Sequence, residues 1–238
     1  EACETPPANF TVEIGAGATS SSWSVPFCDY YGHFMSQQIY TQDEIGNAGT
    51  INSVSFKVYS GSTYTRNLEV YMKNIDQDNF SGYSFITMST SDKVFDGSVE
   101  VGTSGTWCTI NFTTPFNYTG NHVVLCVYDK TGVGLSSYHF FYSTNTTGKT
   151  LYSSNSNVTP TSSATGSTTN YRNQIKFEFE GTPSIPASPV LTAEAADATS
   201  IALSWDAVSG ADSYNVYQGS SQIATNITET TFTVEGLE

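Results

Sequence analysis

The sequence predicts an all-β protein built as a jelly-roll-like antiparallel sandwich, and three observations carry that expectation. Apolar and polar residues alternate with period two in one segment after another, the pattern of strands that are half-buried on one face. Clusters of Gly, Asn, Asp, Ser and Pro punctuate these segments at short spacing. No stretch between them has the period of an amphipathic helix, so the strands lack crossover helices and must pair antiparallel.

Taken in order, NFTVEI and SQQIYT are the first strand candidates. In VSFKVY, Val54, Phe56 and Val58 point one way while Ser55, Lys57 and Tyr59 point the other. LEVYMK repeats this with Leu68, Val70 and Met72 inward, and KVFDGSVEV follows. HVVLCVYD is apolar at both parities and reads as a central strand covered on both sides. SYHFFYS and KTLYSS are further candidates. IKFEFE closes the series, with Ile175, Phe177 and Phe179 inward and Lys176, Glu178 and Glu180 in water.

A domain boundary is expected next. Pro183, Pro186 and Pro189 make EGTPSIPASP an extended stretch that cannot pair as a central strand. It divides a first module, 1–181, from a short second unit, 189–238, through a proline-rich linker, 182–188.

From Pro189 onward the sequence resembles a fibronectin type III domain. The resemblance rests on Pro189, on SIALSW with Trp205 as the core tryptophan of the second strand, on ADSYNVYQ as the third and on TTFTVEGL as the fifth. It implies an incomplete immunoglobulin-like sandwich, because the family's last two strands are not in the sequence. The chain is therefore expected to be cut from a longer parent with further domains, and Trp205, Tyr214 and Val216 are expected to keep an exposed flank. Residues 9–180 are similar to a β-sandwich module of large secreted proteins from Bacteroidetes-type bacteria. The landmarks are QQIYTQDEIG, GTINSVSF, TPFNYTG and YDKTG, in that order. That resemblance implies a secreted or cell-surface location, type IX secretion, and an accessory, adhesin-like role without a catalytic residue.

Charge and composition narrow the function classes. The 238 residues include only 8 Lys and Arg against 22 Asp and Glu, a net charge of -14. A nucleic-acid-binding surface needs a basic footprint that this chain lacks. No apolar run is long enough to span a bilayer, so no membrane insertion is expected. The sequence has neither a starting Met nor a secretory leader pattern, so a removed leader or a cut N-terminus is expected.

Four cysteines permit disulfides but are too few for a framework. Cys108 in CTINF and Cys126 in VVLCV read as small core hydrophobes. Cys3 and Cys28 lie in polar, irregular segments and are the pair to expect if any bridge forms. No CxxC, HExxH or GxSxG motif is present, which leaves zinc sites, metalloprotease chemistry and a serine nucleophile without a signature. His122 opens an apolar strand and reads as a turn residue. No enzyme activity is expected.

Binding is easier to motivate. DYYGHF brings Tyr30, Tyr31 and His33 into one Gly-containing segment, and SYHFFYS supplies Tyr138, His139 and Tyr142. Aromatic faces beside hydrogen-bonding groups suit sugars, so Tyr30, Tyr31, His33, Tyr138 and Tyr142 are the candidate ligand-binding residues. The competing reading has SYHFFY fill the core on one face and stiffen the sheet on the other. NIDQDNFSG places Asp76, Asp78 and Asn79 in one loop as candidate calcium ligands, although an ordinary Asn/Asp turn fits too. No cofactor is expected beyond that structural calcium. The expected role is a non-catalytic module of a secreted or surface protein that contacts glycans or extracellular proteins. An accessory carbohydrate-binding-like domain of a secreted protease or glycosidase, and a spacer without ligand, are the alternatives.

Overall fold

A computed structural model describes residues 9–46, 48–136, 139–181, 189–208, 211, 213–219 and 221–236. Cys3, Tyr138 and the linker 182–188 thus lie outside the described residues. The chain divides into two compact units, Glu1–Thr182 and Pro183–Glu238.

The first unit opens with strands β1 (Phe10–Ile14), β2 (Ser20–Ser22), β3 (Phe34–Tyr40), β4 (Gly49–Ser60), β5 (Tyr64–Ile75) and β6 (Lys93–Val101). It continues with β7 (Trp107–Tyr118), β8 (His122–Asp129), β9 (Phe140–Asn145), β10 (Thr150–Ser153), β11 (Ser167–Thr168), β12 (Tyr171–Asn173) and β13 (Ile175–Phe179). Two short helical turns interrupt them, α1 (Gln42–Ile45) and a 3-10 turn at Thr90–Asp92 ahead of β6. Two sheets result, β1-β13-β4-β9-β12 with β7 also on β4 and β2 on β9, and β11-β10-β3-β8-β5-β6. All their pairings are antiparallel. Apart from the β5–β6 hairpin, successive strands from β3 to β10 change sheet. That alternation produces the all-β, jelly-roll-like sandwich that the period-two pattern predicts.

The inward parity of each strand fills the space between the sheets. Val54, Phe56 and Val58 from β4 meet Leu68, Val70 and Met72 from β5, with Ile175, Phe177 and Phe179 from β13 in the same cluster. A second apolar cluster sits on the outer side of the second sheet. There Met35, Ile39, Tyr71, Val124, Cys126 and Leu151 are covered by Phe80, Phe85, Met88 and Val158 from segments 76–92 and 154–166. The two segments are fastened to each other, Phe85 N–H to the Ala164 carbonyl at 3.0 Å and Met88 N–H to the Pro160 carbonyl at 2.9 Å. They are also fastened to β3, where the Gln37 amide exchanges two bonds with the Ile86 main chain at 2.7 and 2.9 Å. β8 therefore serves both clusters, with Val123, Leu125 and Val127 between the sheets and Val124 and Cys126 under the cover. The first sheet has no comparable cover among the described residues, and Lys57, Tyr59, Trp107, Tyr142 and Lys176 remain half-buried or exposed on its outer face.

Cys108 and Cys126 are buried, as their strand positions imply. Cys28, from an irregular segment, is wholly buried in the main core, because Val25, Phe27 and Cys28 turn inward together ahead of β3. Its expected partner, Cys3, lies outside the described residues, and Cys28 has no disulfide among those described.

The second unit comprises β14 (Leu191–Ala195), β15 (Ile201–Trp205), β16 (Tyr214–Gln218), β17 (Ser221–Ile227) and β18 (Thr231–Val234). β14-β15-β18 form one antiparallel sheet and β16-β17 another. The exposed flank expected at Trp205 is absent. The indole is only 7% exposed because Tyr214 packs edge-on against it, with ring centroids 5.3 Å apart. Tyr214 and Val216 are half-buried.

Candidate functional site

The loop between β2 and β3 holds three of the candidate ligand-binding residues, and buried charge fastens it in place. Arg66 lies at the inward parity of β5, in register with Leu68 and Val70, so its guanidinium must be satisfied inside the sandwich. Its Nε donates to Asp129 Oδ2 at 2.6 Å, Nη1 to the Val133 carbonyl at 2.9 Å and Nη2 to the Tyr31 carbonyl at 2.7 Å. The pair is 1% and 0% exposed. The other oxygen of Asp129 accepts the Thr131 N–H at 2.9 Å and its hydroxyl at 2.6 Å. One ion pair thus ties Tyr31 and the 129–133 turn to β5.

A second clasp holds the other side of the loop. Asp29 faces His139 Nδ1 within hydrogen-bond contact, and its other oxygen accepts the His139 N–H at 3.2 Å. The Leu135 N–H donates to the Asp29 carbonyl at 2.7 Å. His139 Nε2 faces main chain, where the Ser62 N–H donates to it at 2.9 Å, and the Tyr64 ring covers the imidazole at a centroid distance of 4.0 Å. An aspartate orienting a histidine is half of a hydrolase triad. Here the second nitrogen is aimed at backbone rather than a nucleophile, so the arrangement is a cross-link. Burial pushes the Cys28 thiol up to about 11 and those of Cys108 and Cys126 up to about 12, which keeps all three as inert thiols.

On this scaffold Tyr30 is 46% exposed and meets Tyr31 edge-on at 5.3 Å. Tyr31 stacks on Phe34 at 6.1 Å, Phe34 on Tyr152 at 5.7 Å, and Tyr152 meets Trp23 edge-on at 6.1 Å. The result is a run of rings reaching from the core to the surface. His33 is half-buried and stacks on Tyr128 at 6.4 Å. Tyr142 belongs to a different cluster on β9, edge-on to Tyr59 at 5.0 Å. Tyr138 lies outside the described residues.

Asp76, Asp78 and Asn79 are exposed in the segment after β5, where the Asp78 carbonyl accepts from Lys149. No group of three or more His, Cys, Asp or Glu placed to hold a metal occurs among the described residues. His122 begins β8, and its Nδ1 accepts the Gln42 N–H at 3.0 Å, which anchors the start of α1. No helix among the described residues is long and apolar enough to cross a membrane.

Sequence reasoning missed the ion pairs of Arg66 and Arg172. Parity offered the signal for Arg66, whose alternation with Leu68 and Val70 places it inward. Nothing local pointed to Arg172 and Glu44, which pair across 128 residues. Arg172 Nη1 donates to Glu44 at 2.8 Å and to the Ile39 carbonyl at 2.9 Å, and the guanidinium lies over the Tyr40 ring at 4.6 Å. Burial raises the Glu44 carboxyl. The Arg172 bonds and the Thr41 N–H and hydroxyl outweigh that and hold it at about 2. A carboxyl depressed in the folded state stabilises above its unfolded pKa, and that stability is lost as pH falls through the folded one. Thermal stability is therefore expected to decline between about pH 4.5 and pH 2. Melting curves of Glu44→Gln across that window should show a shallower decline, and an unchanged slope would remove Glu44 from the account.

No family model matches the chain. Over 66 residues, 27% of the chain, it is 40% identical to the tail tube protein of Bacillus phage SPP1. The match spans 25% of that protein's length.

Proposed function

We propose that this chain is a non-catalytic recognition module of a secreted or surface-displayed protein, adhesin-like, contacting glycans through the loop that carries Tyr30 and Tyr31. The observation that carries the reading is the exposed Tyr30, edge-on to Tyr31, on a loop clasped on one side by the buried Arg66–Asp129 ion pair and on the other by the buried contact of Asp29 with His139. A ring platform already fixed in place loses little conformational freedom on binding. Sugar C–H faces stack on such rings while hydroxyls take the phenol and main-chain groups around them. The same site would serve an accessory carbohydrate-binding-like domain of a secreted protease or glycosidase. The second unit is read as a fibronectin type III-like spacer, a reading supported by its three-stranded and two-stranded sheets.

The test is a screen of the full chain against a glycan array and immobilised matrix proteins, with calcium and with chelator. Tyr30→Ala with Tyr31→Ala should weaken any specific hit about tenfold or more. Intact binding by the double variant would overturn the site, and a blank array with folded protein would favour a spacer. The similarity to a phage tail tube protein favours a second reading, a structural or display module of a virus particle. Binding of the chain to assembled phage tails rather than to glycans would support it.

A further inference from the structure

We propose that the uncovered outer face of the first sheet is a second binding site, separate from the Tyr30 loop, for an acidic saccharide. The chain's eight cations differ in what they meet. Every other lysine and arginine meets a carboxylate or a main-chain carbonyl, from the buried pair of Arg66 with Asp129 to Lys149 at the Asp78 carbonyl. Lys57 alone, among the described residues, meets neither. Its Nζ lies 5.3 Å from the centroid of the Tyr142 ring and 5.7 Å from that of Trp107. In a chain with 22 Asp and Glu, a cation held among rings and away from every described carboxylate can pair with an anion from outside the chain.

The surroundings specify what kind of anion. Lys57 stands directly opposite Trp107 in the β4–β7 register, Tyr142 enters from β9, and Tyr59 meets Tyr142 edge-on. Lys176 from β13 lies 4.2 Å over the Trp107 ring with Glu13 3.5 Å away, so the patch has one shared and one unshared positive charge. The exposed Thr109 hydroxyl, held at 2.8 Å by that of the buried Ser55, sits two residues along the same face. Flat rings, hydroxyls and a lysine together match a hexuronate, which offers C–H faces, hydroxyls and one carboxylate per ring. An acidic peptide fits less well. β4 lies inside its sheet, bonded to β13, β7 and β9, so its backbone offers no strand edge for a peptide to extend. The net charge of the chain repels anions at long range, but at physiological salt that field is screened beyond about 8 Å.

The experiment titrates the full chain with the trimer of galacturonic acid, its methyl-esterified neutral form and triglutamate. The acid trimer should bind, the neutral form should bind at least about fivefold more weakly, and Lys57→Gln should cost the acid trimer about fivefold while Lys57→Arg retains it. Thermal melts verify that both variants fold. Tyr30→Ala with Tyr31→Ala should leave this binding unchanged, so failure here and failure of the Tyr30 site are read separately. No binding of the acid trimer, equal binding of the neutral form, or an unaltered Lys57→Gln titration would each overturn the proposal. Triglutamate bound as well as the sugar acid would overturn it in favour of an acidic peptide.

Discussion

Arg66→Met is expected to destabilise the first unit by about 3–5 kcal/mol, the cost of stranding a buried charge when its partner is removed. Asp129 is wholly buried, and without Arg66 its remaining donors are the N–H and hydroxyl of Thr131. The carbonyls of Tyr31 and Val133 lose their donor in the same step. Pairing Arg66→Met with Asp129→Leu should recover part of the loss, because an apolar pair of similar volume has no charge to desolvate. Urea denaturation of the two single variants and the double variant measures the coupling. Equal stability of Arg66→Met and the wild type would show that water reaches Asp129 and that the pair is not sealed. The double variant has a second use. It keeps the core filled but frees the Tyr31 carbonyl, so weaker glycan binding with recovered stability would tie recognition to the clasp rather than to folding.

Gly61→Ala is expected to cost about 3 kcal/mol or more, from two independent sources. Gly61 has φ +133°, a region in which a side chain is strained by about 1–3 kcal/mol. A Cβ there would fall 1.5 Å from Cδ2 of His139, so the imidazole must leave its place. That breaks the contact with Asp29 and the bond from the Ser62 N–H, on top of an overpacking cost of about 1–3 kcal/mol. The combination Gly61→Ala with His139→Ala removes the collision but not the backbone strain, and its stability separates the two sources. A melting temperature within a degree or so of the wild type for Gly61→Ala would mean that the turn can re-form without the clasp.

The sandwich was legible because period-two alternation is a local property. β4, β5 and β13 bury the residues their parity assigns, and HVVLCVYD is a central strand with both faces covered. The covering segments were not legible: Phe80, Phe85 and Met88 are spaced irregularly among turn residues and give no period to read. The site was legible only as a collection of rings. Tyr30 and Tyr31 pack together, but Tyr142 lies with Tyr59 and Lys57, a grouping fixed by which strands pair and not by sequence proximity. The clasps escaped for the same reason, since Asp29 and His139 are 110 residues apart and Arg66 and Asp129 are 63 apart. The burial of Cys28 was not legible, because its segment is irregular and has no strand period to assign it a face.

The double service of β8 sets the order in which this module can come apart. A main-chain amide at Leu125 or Cys126 is shielded by neighbouring strands on either edge, by the inter-sheet core beneath and by the fastened segments above. Such an amide exchanges with solvent only in the fully opened molecule, whereas an outer strand such as β1 can detach alone. The strand least able to fray is therefore also the one whose last residue, Asp129, anchors Arg66 and through it the Tyr31 carbonyl. The loop that carries Tyr30 and Tyr31 is moored to the slowest-opening part of the fold, so thermal fluctuations of the edges reach it last.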